Sequence, residues 1–316
     1  PAFPLNGAKI VSRLTRKPAG GRVAAVLRPC EIRAFIELVK LKQGRVEDLI
    51  LISVDCLGAY RNTDFFGWAQ GDLDEASQAY AARVLSGQAA EAGGIEPAPA
   101  CQVCEFPVSE AADLSVGLFG VETSKRILIQ AQTPAGEALL TKLGLAKAED
   151  PPGRKKAVET LVAERSAKRD KMFAETHAAT DTLENLTAYL ANRVNCYNCR
   201  VACPVSYCRE CVFVTDVFDH EPARYLQWAQ NKGAVKMPTD TVFYHITRLA
   251  HMSTACVGCG QCSNACPNDI PVMELFRTIA QGTQAGFDYL PGRSLEEKPP
   301  LSEFREDEFQ EVVGIQ

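Results

Sequence analysis

The spacing of the cysteines constrains this chain more than any other feature. The sequence has thirteen cysteines in 316 residues, and nine of them lie between Cys196 and Cys266. An odd number of cysteines without a secretory signal disfavours a disulfide framework, because such frameworks belong to exported domains with paired cysteines. The two- and three-residue gaps between these cysteines instead predict metal ligation.

The densest group reads Cys256-Val-Gly-Cys259-Gly-Gln-Cys262-Ser-Asn-Ala-Cys266-Pro267. This C-x2-C-x2-C-x3-C-P spacing is that of bacterial two-cluster ferredoxins, in which three cysteines hold one [4Fe-4S] cluster and the fourth reaches the neighbouring cluster. Zinc sites favour two C-x2-C pairs over a run of four cysteines. The spacing therefore predicts an iron–sulfur cluster.

An incomplete copy of the same pattern lies upstream. Cys196, Cys199 and Cys203 match its last three positions, and Arg193 occupies the first. Exchange of the fourth ligands, as in two-cluster ferredoxins, predicts a first ligand set. This set comprises Cys203, Cys256, Cys259 and Cys262.

The same exchange leaves Cys196, Cys199 and Cys266 for a second cluster, which needs one more thiolate. Cys208 and Cys211 lie just downstream, and either of them is a candidate for the fourth ligand. A three-iron cluster held by only three thiolates is the alternative.

The first part of the chain alternates strand and helix. Residues 22–29 and 49–54 are apolar runs, and residues 31–41 between them place apolar side chains on one helical face. This pattern predicts a βαβ unit with a buried parallel sheet, in which ligands collect beyond the carboxyl ends of the strands. Cys30 and Cys56 fall at those ends. Composition alone would make them small buried hydrophobic residues, but with the Cys101–Cys104 loop they can converge on one point.

The predicted fold class is an α/β domain with a mainly parallel sheet, followed by a mostly helical ferredoxin-like domain. The boundaries we expect are 1–148 for the α/β domain, 149–190 for a charged helical linker, 191–283 for the ferredoxin-like domain and 284–316 for an extended, partner-docking tail. Further expected elements are helices at 74–86, 135–142, 154–177 and 241–252 (the last with Thr239 as its N-cap), and strands at 114–119, 127–131 and 211–215.

Short motifs in the first domain resemble those of a known family, the beta subunits of coenzyme F420-reducing hydrogenases and F420-linked formate dehydrogenases. They lie at 26–34, 54–56, 101–104 and 112–117. The resemblance covers roughly residues 20–145. It implies a [4Fe-4S] cluster on Cys30, Cys56, Cys101 and Cys104, beside an FAD. The second domain is similar to the ferredoxin modules of heterodisulfide-reductase-type and formate-dehydrogenase-type electron-transfer subunits.

The remaining residues narrow the class of protein. A net charge of −5 disfavours nucleic-acid binding. No apolar run is long enough for a membrane span, so we expect a cytoplasmic protein. The chain begins at Pro1 without an export signal, which is compatible with a missing upstream portion. The four histidines, His177, His220, His245 and His251, have no metal-ligand spacing; we interpret them as packing or surface residues, with tuning of a cluster's potential as the alternative.

Together these features predict an iron–sulfur electron-transfer subunit of a multisubunit oxidoreductase, with about three [4Fe-4S] clusters. The expected partners are a formate dehydrogenase or hydrogenase catalytic subunit and a flavin-containing or heterodisulfide-reductase-type subunit. The leading alternative is a flavoprotein that itself reduces coenzyme F420 or a related carrier. A zinc-bearing assembly subunit without a redox role is the third hypothesis.

Overall fold

The computed structural model of the protein describes residues 1–303, apart from 19, 89, 92, 146, 195, 209–210, 216–219 and 234–241. In chain order the elements are α1 Ala8–Leu14, β1 Val23–Leu27, α2 Pro29–Lys40, β2 Leu49–Val54, α3 Asn62–Ala69, α4 Leu73–Leu85, α5 Pro99–Gln102, β3 Leu114–Gly117, β4 Leu128–Ala131, α6 Pro134–Lys142, α7 Arg154–Thr180, α8 Leu183–Tyr189, α9 Asn198–Ala202, a 3-10 turn Val212–Val214, α10 Pro222–Lys232, α11 Phe243–Met252, α12 Gln261–Asn264 and α13 Val272–Gly286.

The four described strands form one sheet in the order β1-β2-β3-β4. The first three are parallel, with Val23 opposite Leu49 in one pair and Ile52 opposite Leu114 in the next, and β4 runs antiparallel to β3. The predicted βαβ unit and the mainly parallel sheet are therefore confirmed. Because parallel strands end at the same edge, the residues that follow β1 and β2 are brought close together.

Helix α2 begins where β1 ends because nearby residues satisfy the backbone N–H groups of its first turn. Pro29 is its first residue, where the missing N–H costs nothing, and the Glu31 carboxylate accepts a 2.9 Å hydrogen bond from the N–H of Arg28. Ile32, Phe35 and Ile36 on the predicted apolar face are at most 1% exposed. Burial of each such side chain stabilises the fold by about 1.5–3 kcal/mol. This packing fixes Cys30 at the edge of the sheet.

Two predicted elements differ from the structure. Residues 211–215 do not form a strand but contain the 3-10 turn Val212–Val214. Phe213 there packs edge-on against Tyr244, with 4.7 Å between ring centroids, so side-chain packing takes the place of strand pairing. The helix expected from Thr241 begins at Phe243, and the expected N-cap Thr239 lies outside the described residues.

The two halves of the chain share one hydrophobic core. Ile32 and Phe35 of α2 belong to the same buried cluster as Val257 and Phe276 from the later cysteine region. Arg33 reinforces this contact, since its guanidinium donates to the carbonyl oxygens of Val257 at 3.3 Å and of Pro291 at 2.9 Å. The cysteine-rich loop is thereby held against the edge of the sheet.

The start of the predicted tail also packs on α2. The buried Glu37 carboxylate accepts hydrogen bonds from the hydroxyl of Tyr289 at 2.7 Å and from the N–H of Gly292 at 2.8 Å. Lys40 pairs with Glu37 at 3.0 Å. None of the helices in the described ranges is long and apolar enough to cross a membrane.

Candidate metal centres

Four half-buried cysteines meet at the edge of the sheet. We name them the sheet-edge site: Cys30, Cys56, Cys101 and Cys104, which line one cavity together with Cys259. Cys30 lies in the first turn of α2, and Cys56 is the second residue after β2. The N–H of Cys56 donates to Pro107 at 2.7 Å, and that of Ala98 donates to Ala59 at 2.8 Å. These bonds hold the Cys101–Cys104 loop against the strand end, so the convergence predicted from the strand ends is present.

The electrostatics of the sheet-edge site favour a cationic occupant. Burial, followed by the proximity of Cys56 and Cys259, raises the pKa of Cys30 well above its usual range. Burial, Cys56 and Cys104 raise the pKa of Cys101 to about 12. Without positive charge these thiols stay protonated, whereas bound iron ligates thiolates. The N–H of Gly58 donates to Cys56 and that of Ala59 to Cys101, the kind of hydrogen bond that stabilises a ligating sulfur.

A buried ion pair supports the same edge. Arg154, the first residue of α7, donates to both carboxylate oxygens of Asp55, at 2.6 and 3.1 Å. Asp55 also accepts from the N–H groups of Leu118 and Phe119, at 2.8 and 3.1 Å. Since Asp55 immediately precedes Cys56, this bidentate pair fixes the path of the chain into the site.

The second group of thiols is formed by the ferredoxin-type loop and one upstream cysteine. We name it the loop site: Cys203, Cys256, Cys259 and Cys262. Burial, followed by the nearby Cys203, raises the pKa of both Cys259 and Cys262. The same four cysteines form the first ligand set predicted from the spacing. The N–H of Gly258 donates to Cys256, and that of Gln261 donates to Cys259.

The loop requires glycine where it turns against the first domain. Gly260 has φ +76°, and a Cβ there would lie 2.4 Å from the Cβ of Ala100, the residue before Cys101. Only glycine tolerates both this backbone conformation and this approach. The loop site and the sheet-edge site are therefore direct neighbours, and Cys259 belongs to the wall of both.

The third group contains three cysteines. We name it the three-thiol site: Cys196, Cys199 and Cys266, which line a cavity with Arg193, Tyr244 and His245. These cysteines are the three that the ligand exchange leaves for a second cluster. Neither Cys208, which is exposed, nor Cys211 lines this cavity in the part of the chain that the structure describes. The assignment of either as fourth ligand stays a prediction.

Arg248 of α11 lies between the loop site and the three-thiol site. Its guanidinium donates to the sulfur of Cys199 at 3.1 Å and to the carbonyl oxygen of Cys199 at 3.2 Å. Although burial alone would lower it, the pKa of Arg248 is raised by Cys199 of the three-thiol site, by Cys203 and Cys262 of the loop site, and by Tyr244. Its buried charge thus stabilises thiolates on two sides.

Arg248 belongs to none of the sequence motifs, although its spacing from Tyr244 offers a signal. Arg248 follows Tyr244 by one helical turn, so both lie on the same face of α11, and the Tyr244 hydroxyl is 3.7 Å from the sulfur of Cys199. His245 also lines the three-thiol site and is 2% exposed; burial, with Arg248 and Arg193, lowers its pKa to about 3. His245 is therefore more than a packing residue, because it also lines a cavity that contains three thiols.

Eleven of the thirteen cysteines thus lie in three adjacent groups. No three His, Cys, Asp or Glu side chains in the described ranges are arranged to hold a single metal ion. The sheet-edge and three-thiol cysteines line cavities, and the four loop-site cysteines lie near one another. Four neighbouring thiols, with backbone N–H donors to their sulfurs, form the donor set of a cubane cluster. The residues present at the sheet-edge and loop sites fit this cofactor.

Comparison with known proteins gives an independent result. Residues 251–272 match the family model described as a 4Fe-4S binding domain, which includes Cys256, Cys259, Cys262 and Cys266. The F420-dependent formate dehydrogenase subunit beta of Methanocaldococcus jannaschii is 26% identical over 312 residues, covering 92% of this chain and 78% of that protein. The F420-dependent formate dehydrogenase 1 subunit beta of Methanococcus maripaludis is 26% identical over 308 residues, covering 89% and 75%.

These matches extend beyond the roughly 125 residues that carried the resemblance in the sequence and take in both halves of the chain. The mainly parallel sheet and the 4Fe-4S match together confirm the predicted fold class, an α/β domain followed by a ferredoxin-like region. Over most of its length the chain is thus similar to the beta subunits of two F420-dependent formate dehydrogenases, and its residues 251–272 match a 4Fe-4S binding domain.

Proposed function

We propose that this protein is the electron-transfer subunit of a formate-oxidising complex and that it relays electrons through three iron–sulfur clusters. The observation that carries the proposal is the contiguity of the three groups of thiols. Cys259 joins the sheet-edge site to the loop site, and Arg248 joins the loop site to the three-thiol site. A row of adjacent redox sites is the arrangement that a relay requires.

In this proposal the chain supplies ligands, burial and hydrogen bonds. Its cysteine thiolates hold the clusters, and the N–H groups of Gly58, Gly258 and Gln261 donate to ligating sulfurs. When bound, [4Fe-4S] clusters supply reversible one-electron transfer, and their potentials follow from burial, charge and hydrogen bonding. The buried Arg248 keeps positive charge between two sites, which favours reduced, more negative clusters there.

The partners follow from the names of the relatives. Both relatives are named as subunits of a formate dehydrogenase, so we propose a formate-oxidising catalytic subunit as the electron donor. A flavin-containing or heterodisulfide-reductase-type subunit is the proposed acceptor. The two-electron reactions then take place on cofactors of the donor and acceptor subunits. This chain carries single electrons from one subunit to the other.

The direct test is an anaerobic reductive titration of the purified chain, followed by absorbance. Three clusters predict loss of visible cluster absorbance with about three electrons per chain. Cys266→Ser should lower this by about one electron, whereas Cys208→Ser, at a cysteine that belongs to none of the three groups of thiols, should leave it unchanged. In complex with the formate-oxidising subunit, formate should reduce the same clusters. A colourless chain, or clusters that formate leaves oxidised in the complex, would contradict the proposal.

The relatives' names also favour a second candidate, in which the chain reduces coenzyme F420 through its own FAD. Both names include dependence on F420. Acid denaturation of the purified protein distinguishes the two functions, since a bound FAD is released in about one copy per chain and fluoresces. With FAD present, the reductive titration should consume about two further electrons, and F420 should be reduced at the expense of formate in the complex.

A further inference from the structure

The three-thiol site lacks a fourth cysteine among the residues that line it. A cubane cluster has four ligands, and this cavity offers the thiols of Cys196, Cys199 and Cys266. Its other polar side chains include Arg193 and His245. The candidates for the fourth ligand are therefore the other polar side chains that line this cavity.

Arg193 holds the position that the ferredoxin spacing assigns to a cysteine, but a guanidinium cannot replace a thiolate. It is permanently charged and offers only N–H donors, with no lone pair for iron. Its buried Nη1 and Nη2 atoms have no hydrogen-bond partner in the described part of the chain, and its guanidinium carbon lies 4.4 Å from the centroid of the Tyr244 ring. Arg193 is therefore suited to donate hydrogen bonds to cluster sulfur, not to bind iron.

His245 has the chemistry that Arg193 lacks. It is 2% exposed on α11, between the rings of Tyr244 and Phe276, and its buried Nδ1 has no hydrogen-bond partner among the residues that the structure describes. A buried polar atom without a partner destabilises the folded protein, and a metal bound at Nδ1 would remove that cost. Imidazole nitrogen is an established ligand of iron in iron–sulfur clusters, where it takes the place of cysteine.

We infer that His245, through Nδ1, is the fourth ligand of the cluster at the three-thiol site, and that Arg193 donates hydrogen bonds to that cluster. This inference rests on the third cluster of the proposed function. A neutral imidazole in place of a thiolate removes one negative charge from the cluster, and the guanidinium adds a positive neighbour. Both changes raise the reduction potential, so electrons collect at this end of the row.

The test is pulsed electron paramagnetic resonance on reduced protein labelled with ¹⁵N only in histidine. The wild type should show a strong ¹⁵N coupling to a cluster. His245→Cys should keep the iron content, lose the nitrogen coupling and lower the potential of that cluster, because it supplies a thiolate in place of imidazole. His251→Ala, which changes an exposed histidine on the same helix, should leave coupling and potential unchanged.

The outcomes separate this inference from the proposed function. If Cys266→Ser removes no cluster signal from the wild-type spectrum, the third cluster is absent and the proposed function fails. If that cluster is present without ¹⁵N coupling, or if the coupling persists in His245→Cys, then only the ligand assignment is overturned. A three-iron signal in the oxidised protein, unchanged by His245→Cys, would likewise overturn it.

Discussion

The sheet-edge site and the loop site each bring four cysteines together, but by different routes. Three thiols of the loop site come from seven consecutive residues, Cys256 to Cys262. The sheet-edge site combines the ends of two strands with a loop more than 40 residues further along. The loop site therefore depends mainly on local backbone conformation, whereas the sheet-edge site depends on the packing of the whole first domain. Changes to the fold should affect the two sites unequally.

The largest effect is expected from Cys259→Ala. This change removes a ligand of the loop site, so about four of about 12 irons per chain should be lost, and the relay between the outer sites should stop. Mössbauer spectroscopy with iron analysis measures both the number and the type of clusters left. Cys208→Ala is the matched control, because Cys208 belongs to none of the three groups of thiols.

The same variant sharpens the comparison between the two sites. Cys259 also lines the sheet-edge cavity but is not one of its four proposed ligands. The sheet-edge cluster should therefore persist, with about eight irons remaining. A fall to about four irons would mean that the two sites assemble as one unit.

The next effect is expected from Arg154→Met, which leaves Asp55 charged and buried without its partner. Loss of one member of a buried pair costs about 3–5 kcal/mol. Because Asp55 precedes Cys56, anaerobic urea should release iron from the sheet-edge site at a lower concentration than from the loop site. Lys125→Met breaks an exposed pair with Glu122 and should change stability by about 0.5 kcal/mol or less. Equal loss of iron from both sites would contradict the claim that only the sheet-edge site depends on the packing of the first domain.

A smaller effect is expected from Gly260→Ala, at the contact between the two sites. The new Cβ would lie 2.4 Å from Ala100 in a left-handed backbone conformation, so we expect a loss of about 1–3 kcal/mol. Thermal unfolding under anaerobic conditions measures it. Gly282→Ala on the exposed surface of α13, where a Cβ meets nothing, should instead be neutral or stabilise by about 0.5–1 kcal/mol. Similar effects of the two substitutions would argue against close contact of the loops.

The smallest effect is expected from Cys211→Ala. Cys211 does not line the cavity of the three-thiol site among the described residues, and His245 is the ligand we infer there. Iron content and the cluster spectra should therefore stay as in the wild type. Loss of about four irons would restore Cys211 as the fourth ligand.

The sequence was most informative where structure is local. The apolar runs and helical periodicity predicted β1, α2 and β2 within one or two residues. The cysteine spacing grouped the four thiols that lie near one another at the loop site, and their role as one ligand set stays a prediction. The βαβ pattern also placed Cys30 and Cys56 together, because parallel strands end at one edge.

Long-range packing could not be predicted in the same way. The approach of Gly260 to Ala100 joins residues 160 positions apart, and no periodicity reports it. Arg193, Arg248 and His245 derive their importance from a cavity that only tertiary structure creates. The apolar run at 211–215 looked like a strand because β propensity is local, whereas a strand exists only with a partner to pair with.

Iron per chain in anaerobically purified protein tests the central claim most directly, because three clusters predict about 12 irons and two ferredoxin-type clusters alone predict about eight. We expect about 12, with Mössbauer spectra typical of cubane clusters. A value near eight would leave Cys30, Cys56, Cys101 and Cys104 as thiols without a cluster and would contradict the three-site relay.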